Sequence, residues 1–339
     1  MNPSSNRDLR NCTWNNTTNS SLSEQTWRAG FNCNQDLTLT ILPYLFCGLI
    51  IPAQFFNLVT LGLLPKKELY ILYHISLSAS SLLVGISLAL KVLFNAFLPH
   101  QSVIYSWLLR ISIGTYYYAD CSALIATFLM SLDRWMFLGY PPFYRGWMTR
   151  QKVLLGIAGF VWLASLFLVA PGLAFFWEEI SVSPDANRNP FHLEWNRIGT
   201  KFGVWFVAKG PFLLPFVLFC HQRVLVIATT HKWKLWRRRH RVRVPAPAGQ
   251  GHIRAVFGIV WSSLAASMAI ISVALAVNVP WTVFLFVDVP QNPLVFKAFG
   301  ILSLAQHCYS PAVYLLCWKE YRAVLRRNYH RLVRTIRGS

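Results

Sequence analysis

Ser131-Leu132-Asp133-Arg134-Trp135 closes the third of seven long apolar stretches in this chain. An Asp-Arg pair alone is common and predicts little. The same pair at the end of a membrane-length stretch, in a chain with six more such stretches, predicts a helical bundle in a membrane. The position of this charged pair therefore decides how the rest of the sequence is interpreted.

Composition agrees with seven membrane spans. Of the 339 residues, 55% are hydrophobic and only 13% are charged, about half the charged fraction of soluble domains. The third and sixth stretches are too long to end at the bilayer surface, so their inner ends are expected to project into the cytoplasm. A spanning helix needs about 20 apolar residues, and seven segments qualify: Thr38–Leu64, Tyr70–Leu98, Ile104–Tyr140, Val153–Phe176, Lys201–Thr229, Ala255–Val287 and Leu294–Cys317.

These spans predict an all-α integral membrane fold, a seven-transmembrane helix bundle. Each span must satisfy its own backbone hydrogen bonds, because lipid offers no partner. A β-barrel would show alternating segments of about ten residues, and this chain has no such alternation. The predicted regions are an extracellular tail over 1–37, the seven-helix domain over 38–317, and a cytoplasmic amphipathic helix and tail over 318–339.

The distribution of charge argues against nucleic acid as a partner, despite a net charge of +20. The segments on one side of the predicted bundle carry 22 Lys and Arg residues and ten lie elsewhere, whereas eight of the 12 acidic residues fall on the other side. Basic loops of membrane proteins face the cytoplasm. This asymmetry predicts a multi-pass plasma-membrane protein with an extracellular N-terminus and a cytoplasmic C-terminus.

The N-terminal tail carries signals that agree with this orientation. Its first ten residues are polar and unlike a signal peptide, so the first span is expected to direct its own insertion. Cys12 and Cys33 are candidates for a disulfide there, because the extracellular compartment is oxidising. Asn-X-Ser/Thr sequons are glycosylated only on the lumenal side, and four precede the first span, at Asn11, Asn15, Asn16 and Asn19.

The segment after Cys317 combines apolar residues at a spacing of three or four with many arginines. Trp318, Tyr321 and Leu325 begin the apolar series, and Arg322 and Arg326 begin the basic one. This pattern predicts an amphipathic helix lying on the anionic lipids of the inner leaflet.

Several motifs, in matching order and spacing, resemble those of the rhodopsin-like (class A) G-protein-coupled receptors. Asp133-Arg134-Trp135 is similar to the family's Asp/Glu-Arg-Tyr motif, with Trp in place of Tyr. Ser310-Pro311-Ala312-Val313-Tyr314 is similar to its Asn-Pro-X-X-Tyr motif. Asn57, Trp162 and Pro280 match the family's characteristic residues in the first, fourth and sixth helices. The resemblance covers the chain from Thr38 to about Arg337.

The chain also departs from the family pattern. Ser81 occupies the place of a buried Asp in the second helix, which puts the usual sodium pocket in doubt. Leu109 stands where the third helix normally starts with a Cys, and Trp177–Gly199 contains no Cys, so the usual disulfide cannot form. Asn278 replaces the usual Trp before the sixth-helix proline. The resemblance is therefore to a divergent member, without a subfamily.

The resemblance implies a receptor that binds an extracellular ligand and signals through heterotrimeric G proteins, with no enzymatic activity and no cofactor. In this family the Arg of the third helix exchanges an inactive contact for one with the G protein. Arg134 is expected to take this part, with Asp133 holding it at rest. Trp135, Pro311 and Tyr314 belong to the same activation machinery by resemblance.

The basic inner segment suggests elevated ligand-free signalling. Many members of the family lock the Arg to an acidic residue at the base of the sixth helix. His231–Arg254 contains eight Lys or Arg residues and no acidic residue, so this lock lacks its carboxylate. A closed state without that contact should be less favoured by about 1 kcal/mol, which raises the population of the active state severalfold.

Charged and polar residues in the outer parts of the spans are the candidates for the ligand pocket. Lys91 has two alternative roles, an ion pair with Asp120 across the second and third spans or contact with an acidic ligand group. Monoamine receptors of the family carry an Asp at the position of Tyr116, so a typical monoamine ligand is disfavoured. Lipid, peptide and odorant-like ligands stay open. The pocket candidates are Lys91, Tyr116, Asp120, Asn278 and Trp281.

The sequence leaves two alternatives to a receptor that couples to G proteins and disfavours two others. A decoy or chaperone-like receptor that never couples would keep the same fold, and an odorant-like chemosensory receptor is a further alternative. A zinc hydrolase is disfavoured because His74, His221 and His307 form no His-X-X-X-His pair, so no metal site is expected. A transporter is disfavoured because no internal repeat is visible.

Overall fold

The structure is a computed structural model. The four sequon asparagines, Cys12, and the side chains of Cys33 and Trp281 lie outside the described part. The chain divides into two compact units, Met1–Leu39 and Thr40–Ser339, and the account below concerns the second. The described residues are 33–64, 68–98, 102–175, 201–241, 250–286, 298 and 301–338, excluding some side chains, among them those of 33–44, 201–209 and 250–260.

Within the described ranges the second unit is helical and contains no strand. Residues 301–305 are also helical and precede α9 through a turn at 306–308. The helices, in chain order, are α1 (Cys33–Gly62), α2 (Leu69–Phe97), α3 (Val103–Gly139), α4 (Pro141–Trp147), α5 (Arg150–Gly156), a π-helical segment (Ile157–Leu163), α6 (Ala164–Phe175), α7 (Lys201–Arg241), α8 (Gln250–Phe286), α9 (Tyr309–Cys317) and α10 (Lys319–Gly338).

Long apolar helices occupy six of the seven predicted spans. The predicted seventh span is described at 298 and over 301–317, where it is mostly helical. The all-α fold predicted from the sequence is confirmed. The six helical stretches long and apolar enough to cross a membrane, among the residues described, are Leu45–Gly62, Leu69–Phe94, Val103–Gly139, Arg150–Phe175, Gly210–Thr230 and Trp261–Pro280.

The three longest of the described helices, α3, α7 and α8, far exceed the length that a bilayer requires. The helices α3 and α8 contain 37 residues each, or roughly 55 Å at 1.5 Å per residue, against a hydrocarbon core of about 30 Å. The predicted extension of these two beyond the membrane agrees with those lengths. The end predicted for the fifth span, Thr229, agrees with the apolar stretch Gly210–Thr230, and α7 continues beyond this stretch to Arg241. Lys and Arg are good helix formers and are favourable at a helix C-terminus, so the basic segment prolongs the helix.

The segment after the Asp-Arg pair is a helix. Tyr140 precedes α4, and Pro141 occupies the first position of this helix. Proline suits that position because its missing N–H has no intrahelical partner there in any case. Thus α3 is followed after a single residue by a short helix that folds back beneath it.

The helix α3 is at the centre of the bundle and contacts α2, α6, α7 and α8. Its middle is rich in small buried side chains, including Ala119, Ser122, Ala123 and Ala126. Small residues allow helix backbones to approach closely, which is how helices in lipid gain packing energy. Residues projecting from α3 are consequently surrounded by neighbouring helices.

The fourth span keeps one buried face by changing its helical geometry. Five of its buried residues recur at every fourth position: Val153, Ile157, Val161, Ser165 and Val169. In a regular α-helix each step of four residues overshoots a full turn by about 40°. The π-helical segment in the middle widens the turn with i→i+5 hydrogen bonds, which brings the successive buried residues back to the same face.

A close approach of α1 and α2 requires a glycine at position 85. A Cβ atom added to Gly85 would lie 2.7 Å from Cγ2 of Ile50. That carbon belongs to a buried β-branched side chain, which has little rotational freedom. The contact between these two helices therefore depends on the absence of a side chain at position 85.

We predict that Gly85→Ala destabilises the protein by about 1–3 kcal/mol, the usual cost of overpacking a well-filled core. The midpoint of thermal unfolding of the purified protein in detergent measures this effect. Gly48→Ala is the control, because a Cβ at Gly48 meets nothing within 4 Å and Ala is the better helix former. Equal midpoints for the two variants would contradict the close approach.

Candidate functional site

The last turns of α3 place Asp133 and Arg134 inside the bundle. Their side chains are 1% and 3% exposed, and Arg134 Nη2 lies 3.5 Å from Asp133 Oδ2. The structure thus brings the two residues together as the sequence predicts. The end of the bundle that carries Asp133, Arg134 and Trp135 is called the DRW end below.

Tyr144 of α4 fixes the carboxylate of Asp133. Its hydroxyl donates a hydrogen bond to Asp133 Oδ1 at 2.6 Å. Burial raises the pKa of the Tyr144 phenol above its ordinary value, and the adjacent Asp133 carboxylate raises that pKa further. The phenol therefore stays protonated at physiological pH and acts as a hydrogen-bond donor.

Tyr70, in the first turn of α2, covers the guanidinium of Arg134. The Arg134 Cζ atom lies 4.2 Å from the centre of the Tyr70 ring. A desolvated cation–π contact of this kind contributes about 2 kcal/mol. Nε and Nη2 of Arg134 have no hydrogen-bond partner among the described residues, and each such buried group costs about 1–3 kcal/mol. The two groups together cost about 2–6 kcal/mol, which offsets the Tyr70 contact and part of the ion pair with Asp133, so Arg134 is held weakly where it lies.

Trp135 is half-buried and packs between helices. Its ring meets that of Phe219 on α7 edge-on, with centres 5.6 Å apart. The Trp135 ring also contacts the ring of Tyr140, with centres 6.1 Å apart. The Trp that replaces the family's Tyr therefore fills space between α3 and α7.

An aromatic cluster lies beside Arg134 at the DRW end. Tyr314 and Trp318 are fully buried, and their ring centres are 5.5 Å apart. Trp318 also contacts the rings of Tyr70 and His74, at 5.7 and 5.4 Å. Tyr321, in the first turn of α10, stacks on Trp318. This cluster joins the start of α2 to the junction of α9 and α10.

Polar contacts continue from this cluster along α1. The Tyr321 hydroxyl donates to Asn57 Oδ1 at 3.0 Å, and Asn57 Nδ2 donates to Ser78 Oγ at 2.7 Å. One turn earlier, Gln54 donates to the carbonyl of His307 and to Ser310 Oγ. Asn57 therefore ties α1 to α2 and α10, and Ser310 ties α9 to α1. Both residues belong to the motifs that resemble the family. Pro311 follows Ser310 and is buried.

Asp120, in the middle of α3, faces the seventh span. Gln306 Nε2 donates to Asp120 Oδ1 at 3.2 Å, and His307 Nε2 lies 3.6 Å from the same oxygen. The other ring nitrogen of His307 contacts Ser81 Oγ at 3.2 Å. Ser81, which replaces the family's Asp, is thus linked through His307 to a carboxylate on a different helix.

Asn278 belongs to the same group of residues. Its side-chain amide donates to Gln306 Oε1 at 2.8 Å. Asn278, Gln306, His307, Asp120 and Ser81 share the lining of one cavity. Two of the five predicted pocket residues, Asp120 and Asn278, therefore lie together at the centre of the bundle.

Lys91 is not brought to Asp120. The Ser112 hydroxyl donates to the carbonyl of Ser87, which fixes the register of the antiparallel helices α2 and α3. From this contact Lys91 lies about 6 Å in one direction and Asp120 about 12 Å in the other, at 1.5 Å per residue. A separation of about 18 Å along the axes exceeds the reach of a lysine side chain, so the alternative in which they pair is wrong.

Tyr116 packs in an apolar cluster. Its side chain is 7% exposed and contacts a group that includes Cys47, Ile50, Val84 and Leu88. It is not among the residues that line the cavity beside Asp120. The predicted pocket role of Tyr116 is therefore unsupported by its position.

Sequence reasoning missed several residues of this site. Gln54 and Gln306 are polar residues within apolar stretches, and each hydrogen bonds across helices. A polar side chain inside a span is a functional or structural signal by default, so this rule could have found them. Tyr70 and Tyr144 carried no such signal, because aromatic residues are common throughout the spans. Among the residues described, no cluster of three or more metal-ligating side chains occurs.

The described helices thus hold a buried arginine at one end and enclose a polar cavity near their middle. Residues 65–314 match the sequence pattern of the 7 transmembrane receptor (rhodopsin family). This match covers more than half of the chain, so the chain belongs to the rhodopsin family of seven-transmembrane receptors. The resemblance inferred from the motifs is thereby confirmed, and the protein is a multi-pass membrane receptor. Comparison with curated proteins gives no match.

We predict that Tyr144→Phe lowers the stability of the receptor by about 1.5–3 kcal/mol, the range for a hydrogen bond to a charged group. The variant leaves a buried carboxylate oxygen of Asp133 without its phenol donor. Thermal unfolding of the purified receptor measures the loss. Tyr140→Phe serves as the control, since Tyr140 is 53% exposed; a midpoint for Tyr144→Phe equal to that of the control would show that the hydrogen bond contributes little.

Proposed function

We propose that this receptor binds an extracellular ligand and signals through heterotrimeric G proteins, with Arg134 as the switching residue. The observation that carries the proposal is the environment of Arg134. It is buried beside Asp133 and under Tyr70, yet two of its guanidinium nitrogens lack hydrogen-bond partners. An arginine in this state gains hydrogen bonds when it turns toward carbonyl groups of a partner.

The proposed orientation places the DRW end in the cytoplasm. The sequence predicts that the basic segments lie on the same side as Asp133 and Arg134, and positively charged loops face the cytoplasm. The N-terminal tail with its four sequons then lies outside. Asp133, Arg134, Trp135, Pro311 and Tyr314 are proposed as the coupling and activation residues at the inner end.

The proposed ligand site lies at Asp120 and Asn278 and extends from them toward the end of the bundle opposite the DRW end. Asp120 is 18% exposed and lines the central cavity with Asn278. The cavity is lined mainly by polar side chains, among them Ser81, Thr127, Gln306 and His307, and convergent polar groups of this kind can orient a bound ligand. Lys91, which is 7% exposed, and Trp281 are retained as further candidates, and the class of the ligand stays open.

The helix α10 is proposed to lie on the anionic lipids of the inner leaflet. Its first turn is anchored in the bundle through Trp318 and Tyr321, which are fully buried. Its later arginines Arg326, Arg327 and Arg331 are exposed. An anchored helix with an exposed basic face is suited to a negatively charged membrane surface.

Elevated ligand-free signalling is part of the proposal. The segment 231–254 contains no acidic residue, so Arg134 has no carboxylate partner there. The contacts that hold it are Asp133 and Tyr70. Asp133 lies on α3 and Tyr70 on α2, and neither contact joins Arg134 itself to α8.

A non-coupling receptor is the second candidate. Trp135 is packed against α7, and Arg134 is covered by the ring of Tyr70. If these contacts are permanent, the DRW end offers no switching arginine. Measurement of the signal without ligand separates this candidate from the first.

We predict that the wild-type receptor raises cyclic AMP or inositol phosphate above mock-transfected cells, and that Arg134→Ala abolishes this signal at equal surface expression. Arg110→Ala is the matched control, because Arg110 lies at the other end of the same helix and should retain the signal. If wild type and mock-transfected cells give equal signals, the elevated basal activity is wrong. An Arg134→Ala signal equal to that of the wild type would exclude Arg134 as the switch.

We also predict that replacing Asn11, Asn15, Asn16 and Asn19 together by Gln removes all N-linked glycan from the receptor. Treatment with an N-glycosidase should then increase the electrophoretic mobility of the wild type and leave the variant unchanged. A wild-type mobility unaffected by the enzyme would contradict glycosylation of the tail and weaken the proposed orientation.

A further inference from the structure

His74 of α2 is a fully buried residue at the meeting point of three helices. Its Nδ1 atom lies 2.7 Å from the hydroxyl of Tyr314 on α9. Its Nε2 atom lies 3.1 Å from Oγ of Ser267 on α8. Buried polar groups are costly unless hydrogen bonded, and here both ring nitrogens have partners. The imidazole thus joins α2, α8 and α9 through polar contacts.

One arrangement of protons satisfies every group in this chain of contacts. The Ser267 hydroxyl donates to the carbonyl of Ser263 at 3.1 Å, so its only proton is already used. Ser267 Oγ must then accept the hydrogen bond from His74, which places the imidazole proton on Nε2. Nδ1 is consequently the acceptor, and the Tyr314 hydroxyl donates to it. His74 is therefore neutral, with a defined tautomer.

These hydrogen bonds of His74 lie close to Arg134. Tyr70, one turn before His74 on α2, lies over the guanidinium at 4.2 Å. The rings of Tyr70 and His74 meet edge-on, with centres 6.1 Å apart. The contact that ties α8 to α2 is thus next to the residue that covers the proposed switch.

We propose that the His74–Ser267 hydrogen bond holds α8 against α2 and thereby maintains the resting state of the receptor. It provides the restraint that a carboxylate at the base of α8 would otherwise provide. The Tyr314 contact orients the ring so that Nε2 points to Ser267, which makes His74 a positioning residue. The link to signalling rests on the proposed coupling to G proteins, whereas the restraint of α8 does not.

Three substitutions separate the two hydrogen bonds of the ring. His74→Asn ends near the place of Nδ1, so it retains an acceptor for Tyr314 and loses contact with Ser267. His74→Gln reaches the place of Nε2 and can still donate to Ser267. Ser267→Ala removes the acceptor itself. The matched control is Ser80→Ala, because Ser80 is equally buried and donates only within its own helix, to the carbonyl of Ser76.

The first measurement is hydrogen–deuterium exchange of backbone amides in α8, between Trp261 and Ile270, for the purified receptor in detergent. His74→Asn and Ser267→Ala should each accelerate exchange there, by about two- to tenfold for one buried hydrogen bond. His74→Gln should return most of the protection, and Ser80→Ala should match the wild type. The double variant His74→Asn/Ser267→Ala should exchange no faster than either single variant, because both remove the same bond.

The second measurement is second-messenger signalling without ligand, at equal surface expression. His74→Asn and Ser267→Ala should raise it by a similar factor over the wild type. Unchanged exchange in both variants would overturn the proposed restraint. Faster exchange without a change in signalling would uphold the restraint and count against G-protein coupling. If His74→Asn fails to reach the surface, Ser267→Ala, which removes a single oxygen, decides the question.

Discussion

The interior of a lipid bilayer contains no water, so every polar side chain in these spans must find a partner in the protein. The bundle satisfies this constraint for many of its buried side chains through hydrogen bonds between helices, and Arg134 is an exception. One group joins Asp120 to the seventh span through Gln306 and His307. Another joins α10 to α1 through Tyr321 and Asn57. The relative positions of the helices follow from these contacts as much as from apolar packing.

The family residues that this chain has lost are compensated within the same contacts. Ser310 replaces an Asn, and Gln54 of α1 supplies an amide beside it. Ser81 replaces an Asp, and the nearby carboxylate comes from Asp120 on α3, reached through His307. A single replacement would leave a buried group without a partner. Divergence at these positions is therefore physically tolerable only when several helices change together.

The features that could be predicted from the sequence depend on composition and spacing along one helix. They include the number of spans, the extension of α3 beyond the bilayer and the contact between Asp133 and Arg134. Contacts set by the register between helices could not be predicted. The Ser112–Ser87 hydrogen bond determines that Lys91 lies far from Asp120, and nothing local encodes it. The helical continuation of α7 was missed for a different reason, because its basic residues were taken as the end of a span.

The wide turn in the fourth span changes how that helix relates to its neighbours. A regular helix would carry its buried stripe gradually around its axis and away from α3. With the π-helical segment the stripe runs straight, and the carbonyl of Trp162 accepts a hydrogen bond from Tyr118 of α3 at 3.2 Å. No single helical wheel describes both halves of this span. Deleting one residue within Ile157–Leu163 would therefore rotate one half relative to the other and present its lipid-facing side chains to the bundle.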